Sequence, residues 1–287
     1  MRVPFHLLDV FTEVPFAGNQ LCVVPEVPDG LDQDAMLTLT REINFSETAF
    51  VTAVREGGYD VRIFTPEKEL PFAGHPTLGT AFVLAAEGHV SSSSVQTSAA
   101  GDVAVEVDLA RGWGRMHQLP PAFGRPLEDR GLAARGAGLD VGDLVDDLPI
   151  VPVSTGIPHL MVPVRDEATL RGAERHDEAC RLACDAAEHA ESLYLFAIRD
   201  DGDVMARMFD RWPSIGEDPA TGSAAGPLGA YLAEHGRAGL PGHVTIAQGE
   251  VVGRPSFLHV DVEPAGSSWT AFVGGGVRIV GEGTFVL

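Results

Sequence analysis

Two short segments pair a polar side chain with a proline and a run of small residues. They are His75-Pro76-Thr77-Leu78-Gly79-Thr80-Ala81 and Asp218-Pro219-Ala220-Thr221-Gly222-Ser223-Ala224, about half the chain apart. Proline suits the first position of a helix, where its missing N–H needs no partner. Asp is a good residue to precede it, and His an unusual one. A helix start presents backbone N–H groups and the positive end of the helix dipole, so each segment predicts a place for an anion. The chemistry that suits such a pair is the holding of a small carboxylate. A single Asp-Pro-x-x-Gly-Ser would be read as a helix cap and no more, but its recurrence favours a site.

The elements around the two segments repeat as well. Each copy follows an Arg-x-Phe strand, Arg62-Ile63-Phe64 or Arg207-Met208-Phe209, and each runs on to a glycine stop, Gly88 or Gly236. The repeat predicts two related halves, each with a central helix beginning at Pro76 or Pro219. Both helices are apolar nearly all round, as in Leu78-Gly79-Thr80-Ala81-Phe82-Val83-Leu84, which is the pattern of a helix buried on every side. If a pseudo-two-fold axis relates the halves, the Gly74-His75 and Gly222-Ser223 regions meet at one cleft. Periodicity predicts strands near residues 5–11, 21–24, 47–54, 59–64, 103–109 and 113–119, then 150–154, 160–164, 193–198 and 204–209. It adds helices near 32–43 and 176–187. The Gly- and Asp-rich stretch 124–147 reads as a connection, and Gly274-Gly275-Gly276 as a turn.

The residues that flank these segments resemble the PhzF-like family of phenazine-biosynthesis isomerases. The matching segments are Asp9-Val10-Phe11 with Pro15-Phe16-Ala17-Gly18-Asn19-Gln20, then Glu42-Ile43-Asn44-Phe45-Ser46-Glu47-Thr48. Glu69-Leu70-Pro71-Phe72-Ala73-Gly74-His75-Pro76-Thr77 and Glu217-Asp218-Pro219-Ala220-Thr221-Gly222-Ser223-Ala224 complete the set. The resemblance implies an α+β fold of the diaminopimelate-epimerase type, in which each half is a curved mixed β-sheet around a central α-helix. On that plan the N-terminal half is 1–120 with a strand at about 272–287 returning to it, and the C-terminal half is 121–271. It also implies a homodimer and catalysis without a cofactor or metal.

By the same resemblance Glu47 shuttles a proton, His75 and Asp218 complete the catalytic set, and Asn19, Ser46, Gly74, Gly222 and Ser223 bind substrate. A carboxylate in a closed apolar cleft is pushed toward neutrality, so one group could both take and return a proton. Diaminopimelate epimerases and proline racemases place a cysteine at each helix start. Here Cys22, Cys180 and Cys184 lie elsewhere, which argues against a two-thiol racemase. The expected activity is that of a trans-2,3-dihydro-3-hydroxyanthranilate isomerase. The alternatives are an isomerase or epimerase of another carboxylated metabolite, or a non-catalytic binder that keeps the fold.

A net charge of -21 with a single lysine, Lys68, argues against nucleic acid and anionic membrane surfaces. No apolar run is long enough to cross a bilayer, the start lacks the pattern of a signal peptide, and three cysteines give no disulfide framework. A cytoplasmic enzyme with a small-molecule partner is therefore expected. His176, Cys180 and Cys184 have metal-like helical spacing, but an amphipathic helix with cysteines inward is the simpler reading. His159 follows a segment that echoes Gly18-Asn19-Gln20, and a structural histidine is the simpler reading there too.

Overall fold

The computed structural model describes residues 1–237 and 242–287. Their contacts divide into two units, Met1–His117 with Gly274–Leu287, and Gln118–Val273. In the first unit, β1 (Arg2–Val10) and β2 (Asn19–Val24) form an antiparallel pair in which Val10 faces Asn19. Two residues shape the turn between them. Asp9 Oδ2 accepts the Phe16 N–H at 2.6 Å, and Gly18 sits at φ +70, where a Cβ would lie 2.4 Å from the Val10 carbonyl oxygen. Only glycine closes that turn, and the closed turn is what fixes Asn19.

Helix α1 (Gln33–Ile43) starts at Asp32, whose side chain accepts the Ala35 N–H, and ends at Asn44 in the left-handed region. It buries Met36 and Leu39 against Val24, Phe50 and Phe64. β3 (Glu47–Arg55) then lies parallel to β2 with Leu21 opposite Glu47, and β4 (Gly58–Phe64) turns back along β3. The two-residue β5 (Glu69–Leu70) pairs with the end of β4 and leads into α2 (Gly74–Ala86). Next come β6 (Ser93–Ser98), β7 (Gly101–Asp108) and β8 (Trp113–His117), with β6 parallel to β4. The last strand of the chain lies between β8 and β1, so eight strands close into a barrel around α2. Helix α2 is buried from Gly74 to Leu84, as its apolar circumference requires.

The second unit opens with β9 (Ala122–Phe123) and α3 (Arg130–Gly136), followed by the hairpin of β10 (Val151–Ser154) and β11 (Pro158–Pro163). Helices α4 (Glu167–Gly172) and α5 (Asp177–Ala186) precede β12 (Ser192–Ile198), which runs parallel to β11, and β13 (Val204–Asp210), which runs antiparallel to β12. The short β14 (Glu217–Asp218) pairs with the end of β13 and leads into α6 (Gly222–Glu234). β15 (Gly242–Gln248), β16 (Ser256–Ala265) and β17 (Ser268–Val286) complete the chain. This order of strands and helices matches the first unit from the first hairpin to the central helix, except that two helices, α4 and α5, stand where the first unit has α1.

One arginine device is built twice. Arg62 on β4 and Arg207 on β13 each grip a glutamate of the following short strand, Glu69 or Glu217, through Nε and Nη2. Each guanidinium also stands over the next aromatic ring, 5.1 Å from the Phe64 centroid and 4.8 Å from that of Phe209.

Three expectations need correction. The central helices begin at Gly74 and Gly222, so Pro219 lies outside α6 and Asp218 is a strand residue facing Met208. Matching the prolines therefore sets the repeat out of register. The two copies align instead through Glu69 with Glu217 and Gly74 with Gly222, which share one spacing. The stretch 124–147 is more than a connection, because α3 buries Ala133, Ala134 and Ala137 against α5 and β12. Gly274, Gly275 and Gly276 are interior to β17. A Cβ on Gly276 would lie 2.2 Å from the Thr12 carbonyl oxygen, so glycine there admits a neighbouring backbone and makes no turn.

Candidate active site

In the first unit the structure gathers four of the residues singled out from the sequence into one string. Ser46 Oγ donates to Asn19 Oδ1 at 3.2 Å, and the Asn19 amide stands 3.2 Å from His75 Nδ1. His75 Nε2 lies 3.4 Å from Glu47 Oε2. Local structure fixes each member. Asn19 opens β2 just after the Gly18 turn, Ser46 and Glu47 enter β3 after the left-handed stop at Asn44, and His75 is the second residue of α2. With the Asn19 amide donating to Nδ1, the ring proton of a neutral His75 sits on Nε2, which lies 3.4 Å from Glu47 Oε2 without the alignment of a hydrogen bond.

Burial keeps that ring neutral. It pushes the His75 pKa down to about 3, and the Gln20 carbonyl opposes the shift only in part. The His75 side chain is 3% exposed and that of Glu47 is 15% exposed, so the carboxylate is partly accessible, as is Ser46 at the other end. No side chain caps the start of α2.

The second unit carries its own set around the start of α6. Asp218 Oδ2 accepts the Thr221 hydroxyl at 2.6 Å, which turns Thr221 away from capping the helix, and no side chain caps α6 either. Gln248 binds this corner together. Its Nε2 donates to the Asp218 carbonyl at 2.8 Å and to Thr221 Oγ1 at 3.0 Å, and its Oε1 accepts the Tyr194 hydroxyl at 3.0 Å. Gln118 Nε2 donates to the Gly222 carbonyl at 2.7 Å and is itself held by Thr155. Ser223 Oγ lies 3.0 Å from His159 Nε2, and His159 Nδ1 lies 2.8 Å from Ser192 Oγ.

Sequence reasoning passed over Gln118, Thr221, Ser192 and Gln248, and set His159 aside. The echo of Gly18-Asn19-Gln20 before His159 was the one signal available. Asp218, matched to His75 by its proline, has no histidine-like place in the fold. Ser223 occupies the second helical position that His75 occupies in α2.

The remaining candidates lie in other surroundings. His176 precedes α5, and Cys180 and Cys184 are buried in an apolar cluster with Leu193 and Phe209. Among the described residues no three His, Cys, Asp or Glu side chains are grouped to hold a metal ion. No helix among them is long and apolar enough to cross a membrane. Near the α6 start, burial pushes the Asp210 carboxyl up to about 7, against the pull of the Trp212 N–H that it accepts.

Residues 8–286 match the model of a family described as phenazine biosynthesis-like protein. The trans-2,3-dihydro-3-hydroxyanthranilate isomerase of Pseudomonas fluorescens is 32% identical over 295 residues, with 99% of each chain covered. Among solved structures, a phenazine biosynthesis protein of the PhzF family from Bacillus anthracis aligns over all of both chains with a TM-score of 0.88 and 25% identity. A predicted epimerase from Pseudomonas aeruginosa aligns over 99% of each chain with a TM-score of 0.85 and 33% identity.

Proposed function

Because this chain belongs to the phenazine biosynthesis-like family and is an isomerase, we propose that it moves a proton between two carbon atoms of a small carboxylate-bearing metabolite, with Glu47 as the carrier. The observation that carries the reading is the series Ser46, Asn19, His75, Glu47, which brings a partly exposed carboxylate beside a buried neutral imidazole. In the forward step Glu47 takes a proton from one carbon, and the electron pair left behind spreads into the conjugated system of the substrate. The same carboxyl then returns the proton to a second carbon, so the product has the formula of the substrate and no oxidant, metal or cofactor takes part.

His75, kept neutral by burial, has Nε2 3.4 Å from Glu47 Oε2 and comes to donate to that carboxylate once substrate is bound, which stabilises its charged form. Asp218 and Ser223, with the backbone of Gly74 and Gly222, orient the polar groups of the substrate. The dihydro-hydroxyanthranilate named for the relative is the first compound to test, as a cyclic acid with a movable proton. The reading extends to a homodimer, for which sedimentation should report twice the chain mass.

Glu47→Gln tests the assignment, because Gln keeps the reach of Glu and cannot accept and return a proton. Positioned acid/base groups contribute about 10²- to 10⁴-fold. Turnover and deuterium uptake from heavy water should both fall by about that factor or more, with the melting temperature little changed. Exchange in Glu47→Gln within tenfold of the parent would remove Glu47 from the role.

A further inference from the structure

The strings at the two helix starts have the same plan with different residues. In the first unit a serine at the edge of the third strand (Ser46) reaches a residue of the first hairpin (Asn19), which reaches the second residue of the central helix (His75). In the second unit Ser192, His159 and Ser223 stand in the same order, at 2.8 and 3.0 Å. His159 is 1% exposed, and Ser192 and Ser223 are buried. A hydroxyl can both give and accept, so these two distances alone allow either ring tautomer.

The first unit supplies a direction. There the serine donates to the hairpin residue, and the hairpin residue donates to the helix residue. Carried to the second unit, the same polarity makes Ser192 donate to His159 Nδ1. The ring proton then lies on Nε2 and is given to Ser223 Oγ. The Ser223 hydroxyl hydrogen, freed from His159, points away from the ring.

We infer that His159 is a positioning residue that fixes Ser223 as a hydrogen-bond donor to the carboxylate of the substrate. The inference rests on the proposed function for the role of Ser223, but its geometric content does not. A serine left to rotate would divide its hydrogen between His159 and the ligand. With an imidazole N–H behind it, the hydroxyl must accept on one side and can donate only on the other. A protonated His159 would still donate to Ser223 but would place a second proton against Ser192. Burial opposes that form, holding the pKa at about 3.

Two measurements test this. In protein labelled with ¹⁵N-histidine, the His159 ring, identified by loss of its signals in His159→Gln, should show the Nε2–H tautomer between pH 6 and 8. An Nδ1–H tautomer would overturn the inference whether or not any substrate turns over. The second is kinetic, on trans-2,3-dihydro-3-hydroxyanthranilate. His159→Asn reaches Ser192 but not Ser223, and should lower kcat/KM by about 10- to 100-fold, mostly through KM, as loss of a hydrogen bond to a charged group does. Gln places its amide near the position of Nε2, so His159→Gln should recover most of that loss.

Combining His159→Asn with Ser223→Ala should cost no more than Ser223→Ala alone, because His159 acts only through Ser223. Additive losses, or equal losses in the Asn and Gln variants with equal falls in melting temperature, would make His159 a packing residue. If the parent enzyme leaves this compound unchanged, the substrate reading fails while the tautomer measurement still decides the inference.

Discussion

Replacing the repeated arginine in each unit should have unequal effects, although the two sequences look alike. Arg207 and Glu217 have side chains 6% and 13% exposed, while Arg62 and Glu69 are 31% and 32% exposed. Arg207 also spends Nη1 on the carbonyls of Leu170, Arg171 and Ala173 at the end of α4, at 3.0, 3.2 and 2.6 Å. Arg207→Ala would leave a buried carboxylate without its cation and three carbonyls without that donor. Breaking one side of a buried pair costs about 3–5 kcal/mol. Arg62→Ala removes a pair that water already screens, at a cost of about 0–1 kcal/mol. At about 2–4 °C per kcal/mol for a unit of this size, Arg207→Ala should melt about 6–20 °C below the parent and Arg62→Ala within about 4 °C of it. Hydrogen exchange followed by peptide mapping locates the damage, which should appear in residues 204–210 for the first variant. Equal losses in the two variants would refute the claim that burial, and not the shared motif, sets the worth of this pair.

The pH dependence of stability has a sign fixed by three groups. Burial holds His75 and His159 at about 3 against the usual 6.5, so each stabilises the fold above pH 6.5 and that contribution is lost as pH falls toward 3. Asp210, raised from 3.8 to about 7, acts oppositely: its contribution is present at low pH and lost as pH rises through 7. At pH 5 the net difference is one proton, so these groups should make stability fall by about 1.4 kcal/mol per unit of acidification, and Asp210→Asn should roughly double that slope. Melting temperatures that stay flat from pH 6.5 to 4 in both proteins would contradict this. Asp218→Asn keeps an acceptor for Thr221 and removes the charge, so KM should rise and kcat fall by about tenfold each with melting unchanged; normal kinetics would take Asp218 out of the site. Gly79→Ala places a Cβ 2.4 Å from Leu21 Cδ2 and should cost about 1–3 kcal/mol in urea unfolding, and a neutral result would mean that β2 yields at that point.

Much of this architecture could be read from local pattern. The helix expected near 32–43 is α1, and the burial of α2 followed from its apolar circumference. The register of the repeat was hidden because proline is the conspicuous residue in each copy, whereas the fold matches glycines and glutamates. The shared spacing from Glu69 to Gly74 and from Glu217 to Gly222 was the usable signal. Helix α3 was hidden among glycines and aspartates because packing against Cys180 and Leu193, more than propensity, makes it helical. Of the site, the residues within motifs were legible. His159 was not, because its partners Ser192 and Ser223 are 33 and 64 positions away and only the fold brings them together.

The closing strand of the first barrel has a consequence for how the molecule is made. Residues 1–117 leave the ribosome with one stave missing, since β1 pairs Arg2 with Val286 and Val10 with Val277. Residues 118–273 are contiguous and can fold while the earlier segment waits, so the half synthesised first is completed last. Until then β1 and β8 each expose an edge able to pair with another chain. A nascent chain stalled after residue 273 should accordingly protect peptides of the second unit from protease while those of β1 and β8 remain open to cleavage.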